Sequence, residues 1–204
     1  WGWKGLRYVM FMAAVLNLLL TPAFALMPIL VTRYFGGGAY ELAGVEAAQG
    51  VGFIVGGIAL SMWGGFKRRI LTMLLGLMGL GCGALLLGLV PASVFALALV
   101  AVFVMGVMSP ITNGPLFAIV QSVVPPELHG RVFTVIGSVA MGVSPLGLAV
   151  AGPLADRFGV QVWYLAGALL SGVLLVVCLA TPAIMQIEHH GPAHGKQPQS
   201  EAFT

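Results

Sequence analysis

The chain has 204 residues, 59% of them hydrophobic and 7% charged, with nine Lys and Arg against six Asp and Glu for a net charge of +3. A soluble domain carries about 25% charged residues, and a mean hydropathy of +1.04 leaves more apolar surface than a water-soluble fold of this size can bury. Composition therefore excludes a soluble or disordered chain, and the scatter of the basic residues over separate loops removes nucleic acid as a partner.

A lipid bilayer has a hydrocarbon core about 30 Å thick, which takes roughly 20 helical residues to cross. Six apolar runs of that length follow one another, separated by short polar patches. None alternates apolar and polar residues as the strands of a membrane barrel do, so each is predicted to be a helix. The chain begins Trp1-Gly2-Trp3-Lys4, followed by Arg7, side chains suited to a membrane interface. With no initiating Met and no signal-peptide pattern, further chain is expected upstream.

The first predicted span runs from Gly5 to Thr32, with Asn17 and Thr21 just before Pro22 and with Pro28 further on. The second runs from Ala43 to Gly64 and holds Glu46, the one acid well inside a span, with Gln49 on the same helix face. Two readings stand for Glu46. It snorkels to the surface with Glu41 and Arg33, or it is a proton-titrating site facing a cavity, where desolvation favours its neutral form.

The basic loop Lys67-Arg68-Arg69 precedes the third span, Ile70 to Leu89. Gly52 and Gly56 in the second span and Gly79 and Gly83 in the third have the small-xxx-small spacing that lets helix backbones close up. The fourth span, Val94 to Val120, contains Ser109-Pro110 followed by Thr112, Asn113 and Pro115. Proline removes a backbone donor and disturbs the preceding turn, so the first and fourth spans are expected to be broken helices. Val132 to Leu154 is the fifth span, opened by Gly130-Arg131 and closed by Asp156-Arg157 and Gly159. The sixth covers Val162 to Ala183. The third and sixth spans hold almost nothing polar and read as outer supports facing lipid. The fold class is all-α membrane protein, with residues 1–183 as a six-helix transmembrane bundle and residues 184–204 as a disordered tail too polar to order itself.

Basic residues favour the cytoplasmic ends of spans. If the first span starts inside, the inner side receives Lys4, Arg7, Lys67, Arg68, Arg69, Arg131 and Lys196, and the outer side only Arg33 and Arg157. Both chain ends are thereby expected in the cytoplasm. Six spans also divide into two sets of three with opposite topology, the inverted-repeat pattern of secondary transporters.

Candidate functions follow from the few polar groups at membrane depth. Asn17, Thr21, Gln49, Ser109, Thr112 and Asn113 are the candidate substrate-binding residues, because polar groups near prolines in a span are tolerated where they line a wet cavity. Glu46 is the candidate for proton coupling. Lys67, Arg68, Arg69, Arg131, Asp156 and Arg157 are candidates for gating, although the basic ones are equally explained as topology determinants and Asp156-Arg157 as a surface ion pair. All four His lie in loops or tail, and Cys82 and Cys178 are single within apolar spans. No enzymatic motif, metal site or cofactor is therefore predicted.

Three stretches carry a family resemblance. Trp63-Gly64-Gly65-Phe66-Lys67-Arg68-Arg69 resembles the reduced C-terminal copy of the basic loop signature of the major facilitator superfamily. Val124-Pro125-Pro126-Glu127-Leu128-His129-Gly130-Arg131-Val132 and Gly152-Pro153-Leu154-Ala155-Asp156-Arg157-Phe158-Gly159 are similar to the corresponding stretches of bacterial multidrug exporters, the macrolide-efflux branch of drug:proton antiporters above all. The basic loop lacks the acidic residue of the full motif. What the resemblance implies is the C-terminal half of a twelve-helix permease, helices seven to twelve, exporting macrolides or similar amphipathic compounds in exchange for protons. Its partners are then a drug-like small molecule, protons, an N-terminal six-helix half and the lipid of a bacterial cytoplasmic membrane. The alternative is a non-transporting membrane scaffold or the permease subunit of an ATP-driven transporter, against which the short inner loops speak.

Overall fold

The computed structural model describes residues 22–123 and 126–180; Asn17 and Thr21, the opening residues and the tail lie outside the described residues. Every regular element among the described residues is helical. The first, α1, is helical over residues 22–25 and Met27–Ile29 and passes into a π-helical turn at Leu30–Tyr34. Then come α2 (Ala39–Trp63), α3 (Arg69–Leu89), α4 (Phe95–Val123), a 3₁₀ turn at Pro126–Leu128, α5 (His129–Phe158) and α6 (Gln161–Ala180).

Length and apolar composition allow α2, α3, α6 and the Phe95–Ala118 stretch of α4 to cross a membrane. These are the second, third, fourth and sixth expected spans. At 1.5 Å per residue α2 is about 37 Å long, enough for the hydrocarbon core and part of the interface. Glycine sets where it stops, since Gly64 takes φ +73° and its N–H reaches the Leu60 carbonyl at 2.8 Å. The same device ends α5, where Gly159 at φ +86° donates to the Ala155 carbonyl at 3.0 Å. At its start α2 is capped by the Glu41 carboxylate, which accepts the Gly38 N–H at 2.7 Å.

Packing follows the glycines. On α2, Gly52 and Gly56 lie against the backbone of α4 at Phe103, Gly106 and Val107, and Gly106 in turn lies against the Gln49 carbonyl. Gly76, Gly79 and Gly83 of α3 face Thr112, Met108 and Met105 of α4, while Gly81 and Gly88 receive Ser171 and Leu165 of α6. The order across the bundle is thus α2, α4, α3, α6. In a bilayer, where lipid is as apolar as leucine, such close backbone contact is the main source of helix association.

Two expectations are corrected here. The third span is no outer support: Ile70, Met73, Leu77, Leu80 and Leu87 are buried, because its glycines let α4 and α6 close on both sides. Of these two expected supports, α6 is the one that keeps a broad outward face, at Leu169, Val173 and Val176. Nor is the fourth span broken. α4 runs through Pro110 and Pro115 as one helix, which a membrane helix tolerates when neighbouring helices pack closely on it, as α2 and α3 do here, and two polar side chains after Pro110 bond back onto their own helix. Thr112 Oγ1 donates to the Met108 carbonyl at 2.9 Å and Asn113 Nδ2 to that of Ser109 at 3.0 Å. In the first span the irregularity expected near proline is present, as the turn at Leu26 before Pro28 and the π-helical turn at Leu30–Tyr34 after it.

At one end of the bundle the helix termini are tied together. Tyr34 Oη donates to the Val90 carbonyl at 2.9 Å, and Gln161 Nε2 donates to the same oxygen at 3.3 Å. Phe35 packs edge-on against Phe95, ring centroids 5.4 Å apart. One helical turn into the bundle, buried Tyr164 donates to the Ala23 carbonyl at 2.8 Å. These bonds hold α1 to the α3–α4 turn and to α6.

Candidate functional site

The polar residues of α4 sit where two prolines leave the Gly106 and Ile111 carbonyls without their usual helical donors. Ser109 and Asn113 are half-buried, whereas Thr112 is 2% exposed and its hydroxyl lies in the contact with Gly76 of α3. The structure therefore separates the three. Thr112 belongs to the α3–α4 seam, and Ser109 and Asn113 keep partial access on the flanks of α4. Asn113 spends one amide hydrogen on its own helix, which leaves the amide oxygen and the second hydrogen for another partner.

On α2 the face toward α4 is Val45, Gln49, Gly52 and Gly56. Gln49 is half-buried along this seam. Glu46, one residue round from Val45, is exposed and shares a stripe with Gly50, Phe53 and Gly57. Gly50 and Gly57 have nothing within 4 Å of a would-be Cβ, so no described helix covers that stripe. Of the two charged residues expected near Glu46, Glu41 caps its own helix and Arg33 reaches Asp156 at 3.5 Å.

That ion pair corrects the expected Asp156-Arg157 pairing. Neighbouring residues on a helix point about 100° apart, and the end of α1 offers Asp156 a guanidinium across the bundle. Both partners are 73% exposed, so the pair is worth at most about 1 kcal/mol. It ties α1 to α5 within one bundle.

The basic loop divides as well. Arg69 donates through Nη1 to the Ala118 carbonyl at 2.9 Å, and this bond holds α3 to the late turns of α4. Lys67 and Arg68 are exposed, as is Arg131 at the start of α5. The loop is ordered by the Phe66 N–H donating to buried Thr72 at 2.8 Å and by the edge-on pair Trp63 and Phe66, centroids 4.7 Å apart.

Sequence reasoning missed Tyr34, Gln161 and Tyr164, whose polar tips bind carbonyls of other elements. The available signal was a tyrosine inside an otherwise apolar sixth span, since a buried phenol needs an acceptor. A groove of about 740 Å³ between α3 and α6, lined by Leu77, Cys82, Leu85, Leu169 and Val176, is almost wholly apolar. It lies away from the polar residues of α4.

Comparison with known proteins supplies the family. The chain is 31% identical over 185 residues to macrolide efflux protein A of Streptococcus pyogenes, covering 90% of this chain and 45% of that protein. It is 31% identical over 195 residues to the multidrug efflux pump Tap of Mycolicibacterium fortuitum, covering 91% and 47%. A similar match, 31% over 193 residues, is to the uncharacterised MFS-type transporter YfiS of Bacillus subtilis, of which 43% is covered. The chain thus spans a little under half the length of these relatives. No family model matches it, and neither does any solved structure. With its long apolar helices and this likeness along nine-tenths of its length, the chain belongs to the major facilitator superfamily, as a stretch of a multi-pass bacterial membrane protein.

Proposed function

We propose that the chain is the C-terminal half, helices seven to twelve, of a proton-coupled permease that exports macrolides or similar amphipathic drugs by alternating access. The observation that carries this reading is its similarity to macrolide and multidrug efflux proteins along nine-tenths of its length. In this reading six spans form one bundle of two inverted three-helix repeats, and the drug sits near the midplane between this bundle and an N-terminal one. Ser109 and Asn113 present polar groups to it beside adaptable apolar side chains such as Phe117, with Asn17, Thr21 and Gln49 on the flanking spans. Mostly apolar walls with a few placed polar groups suit amphipathic ligands. Thr112 supports the wall from behind, through its contact with α3. Lys67, Arg68, Arg69 and Arg131 act at the inner end and Asp156 and Arg157 at the outer end as the bundles rock. Both chain ends lie in the cytoplasm.

Expression of the full-length gene in a macrolide-sensitive bacterium tests the function. Accumulated drug is expected to fall several-fold and to return to the control level when a protonophore collapses the proton gradient. Equal accumulation with and without the gene would rule out export of that drug class. Topology and cavity are checked together by cysteine labelling in a background lacking Cys82 and Cys178. Arg68→Cys is expected to react with an impermeant reagent only in inside-out vesicles and Arg157→Cys only in right-side-out ones. Asn113→Cys is expected to react and to be protected by drug, while Thr112→Cys stays unreactive. Reversed sidedness would overturn the topology, and an Asn113→Cys that never reacts would move the cavity elsewhere.

A further inference from the structure

We propose that the turn between α2 and α3, Trp63 to Arg69, binds the phosphate of an anionic phospholipid through Lys67 and Arg68. The proposal rests on α2 and α3 spanning a membrane, and holds whichever face the turn lies at. Three observations carry it. First, the turn is a built structure: Gly64 and Gly65 take φ +73° and +76°, and Phe66 N–H is bonded to the Thr72 hydroxyl, itself 1% exposed. The left-handed backbone is open to glycine at little cost and strains other residues, so the position of Lys67 and Arg68 is fixed by the chain before them.

Second, among the described residues the cations of the turn have no acidic partner. Of the three, Arg69 is engaged by the Ala118 carbonyl. Lys67 and Arg68 are exposed, and the sequence holds no acid between Glu46 and Glu127. Among the described residues the ion pair that forms is Arg33 with Asp156, at the other end of the bundle. Two adjacent cations, one of them a planar guanidinium able to grip two phosphate oxygens at once, thus face solvent unpaired with any carboxylate of the described residues.

Third, Trp63 and Phe66 are 47% and 45% exposed directly beside these cations. Amphipathic and aromatic rings settle at headgroup depth. Rings flanking a basic pair present apolar surface to the upper acyl chain and charge to the phosphate, a combination that a free anion in water does not need. Charge complementarity selects a phospholipid of net negative charge, such as phosphatidylglycerol, over zwitterionic phosphatidylcholine.

Thermal unfolding of the full-length transporter in detergent, with added dioleoylphosphatidylglycerol or dioleoylphosphatidylcholine, tests this. Phosphatidylglycerol is expected to raise the midpoint by about 5 °C more than phosphatidylcholine. The difference should vanish in Lys67→Gln/Arg68→Gln, survive in the charge-preserving Lys67→Arg/Arg68→Lys, and survive in Arg33→Gln at the opposite end. Equal shifts with the two lipids, or a full shift in Lys67→Gln/Arg68→Gln, would overturn the site. An equal shift from glycerol phosphate in solution would overturn the lipid as its ligand. Drug export enters none of these readouts, so the site and the efflux function fail separately.

Discussion

Gly56→Ala is expected to destabilise the full-length protein by about 1–3 kcal/mol, the usual cost of overpacking, while Gly57→Ala leaves it unchanged or up to about 1 kcal/mol more stable. The two glycines are neighbours in sequence and differ only in what they face. A methyl group on Gly56 would run into the Val107 carbonyl and lie 2.8 Å from the Pro110 ring, whereas one on Gly57 meets nothing within 4 Å. Neither partner yields readily, since one is backbone and the other a ring closed onto its own backbone. At Gly57 what remains is the helix propensity of alanine, which exceeds that of glycine by about 0.8–1.0 kcal/mol. Thermal midpoints in detergent and the amount of folded protein in membranes measure both variants. A Gly56→Ala protein as stable as Gly57→Ala would mean that the α2–α4 seam opens easily. It would then serve as a sliding surface, and the close packing around Gly52 and Gly106 would be one of several positions.

That the chain is built of long apolar helices was legible because a bilayer allows only one kind of long apolar run. The third span was expected from Ile70 to Leu89 and is observed at Arg69–Leu89; the stop at Gly159 follows from its left-handed backbone. Which face meets which neighbour was not legible, because lipid-facing and helix-facing positions are equally apolar and leave no amphipathic stripe to read. Glycine spacing marked the seams of α2 and α3 without saying that α4 fills both of them. Proline was read as a breaker at positions 110 and 115, but α4 is packed between α2 and α3 and passes through both as one helix. Thr112 and Asn113 looked like a single polar patch in sequence. A rotation of 100° between them sends one into the α3 contact and leaves the other half-exposed. The Arg33–Asp156 pair joins helices far apart in the chain, and no local spacing foretells such a pair.

Glu46→Gln is expected to abolish drug-driven proton movement in the full-length protein, at least tenfold, while leaving it folded and inserted. Glu46 lies seven residues beyond Ala39, about 10 Å along the α2 axis, and is exposed on a stripe that no described helix covers. An ionised carboxylate costs about 2.5–3.5 kcal/mol at the centre of a bilayer and less toward its edge. A proton-coupled carrier needs an acid that one access state loads with a proton and the other unloads, and Glu46 is the acid that lies well inside a predicted span. Among the described residues the nearby cations are engaged or distant, since Arg33 holds Asp156 and the basic turn lies at the far end of α2. Glutamine keeps the size and hydrogen-bonding reach of the side chain and removes only the titration. Proton uptake on adding drug to vesicles should fall to the level of vesicles without transporter, and residual drug movement should lose its dependence on pH, with Glu46→Asp retaining part of both. Antiport that stays unchanged across pH in Glu46→Gln would place the carboxylate at the membrane surface as a solvated side chain, and the coupling proton would then have to be carried by another acid of the full-length protein.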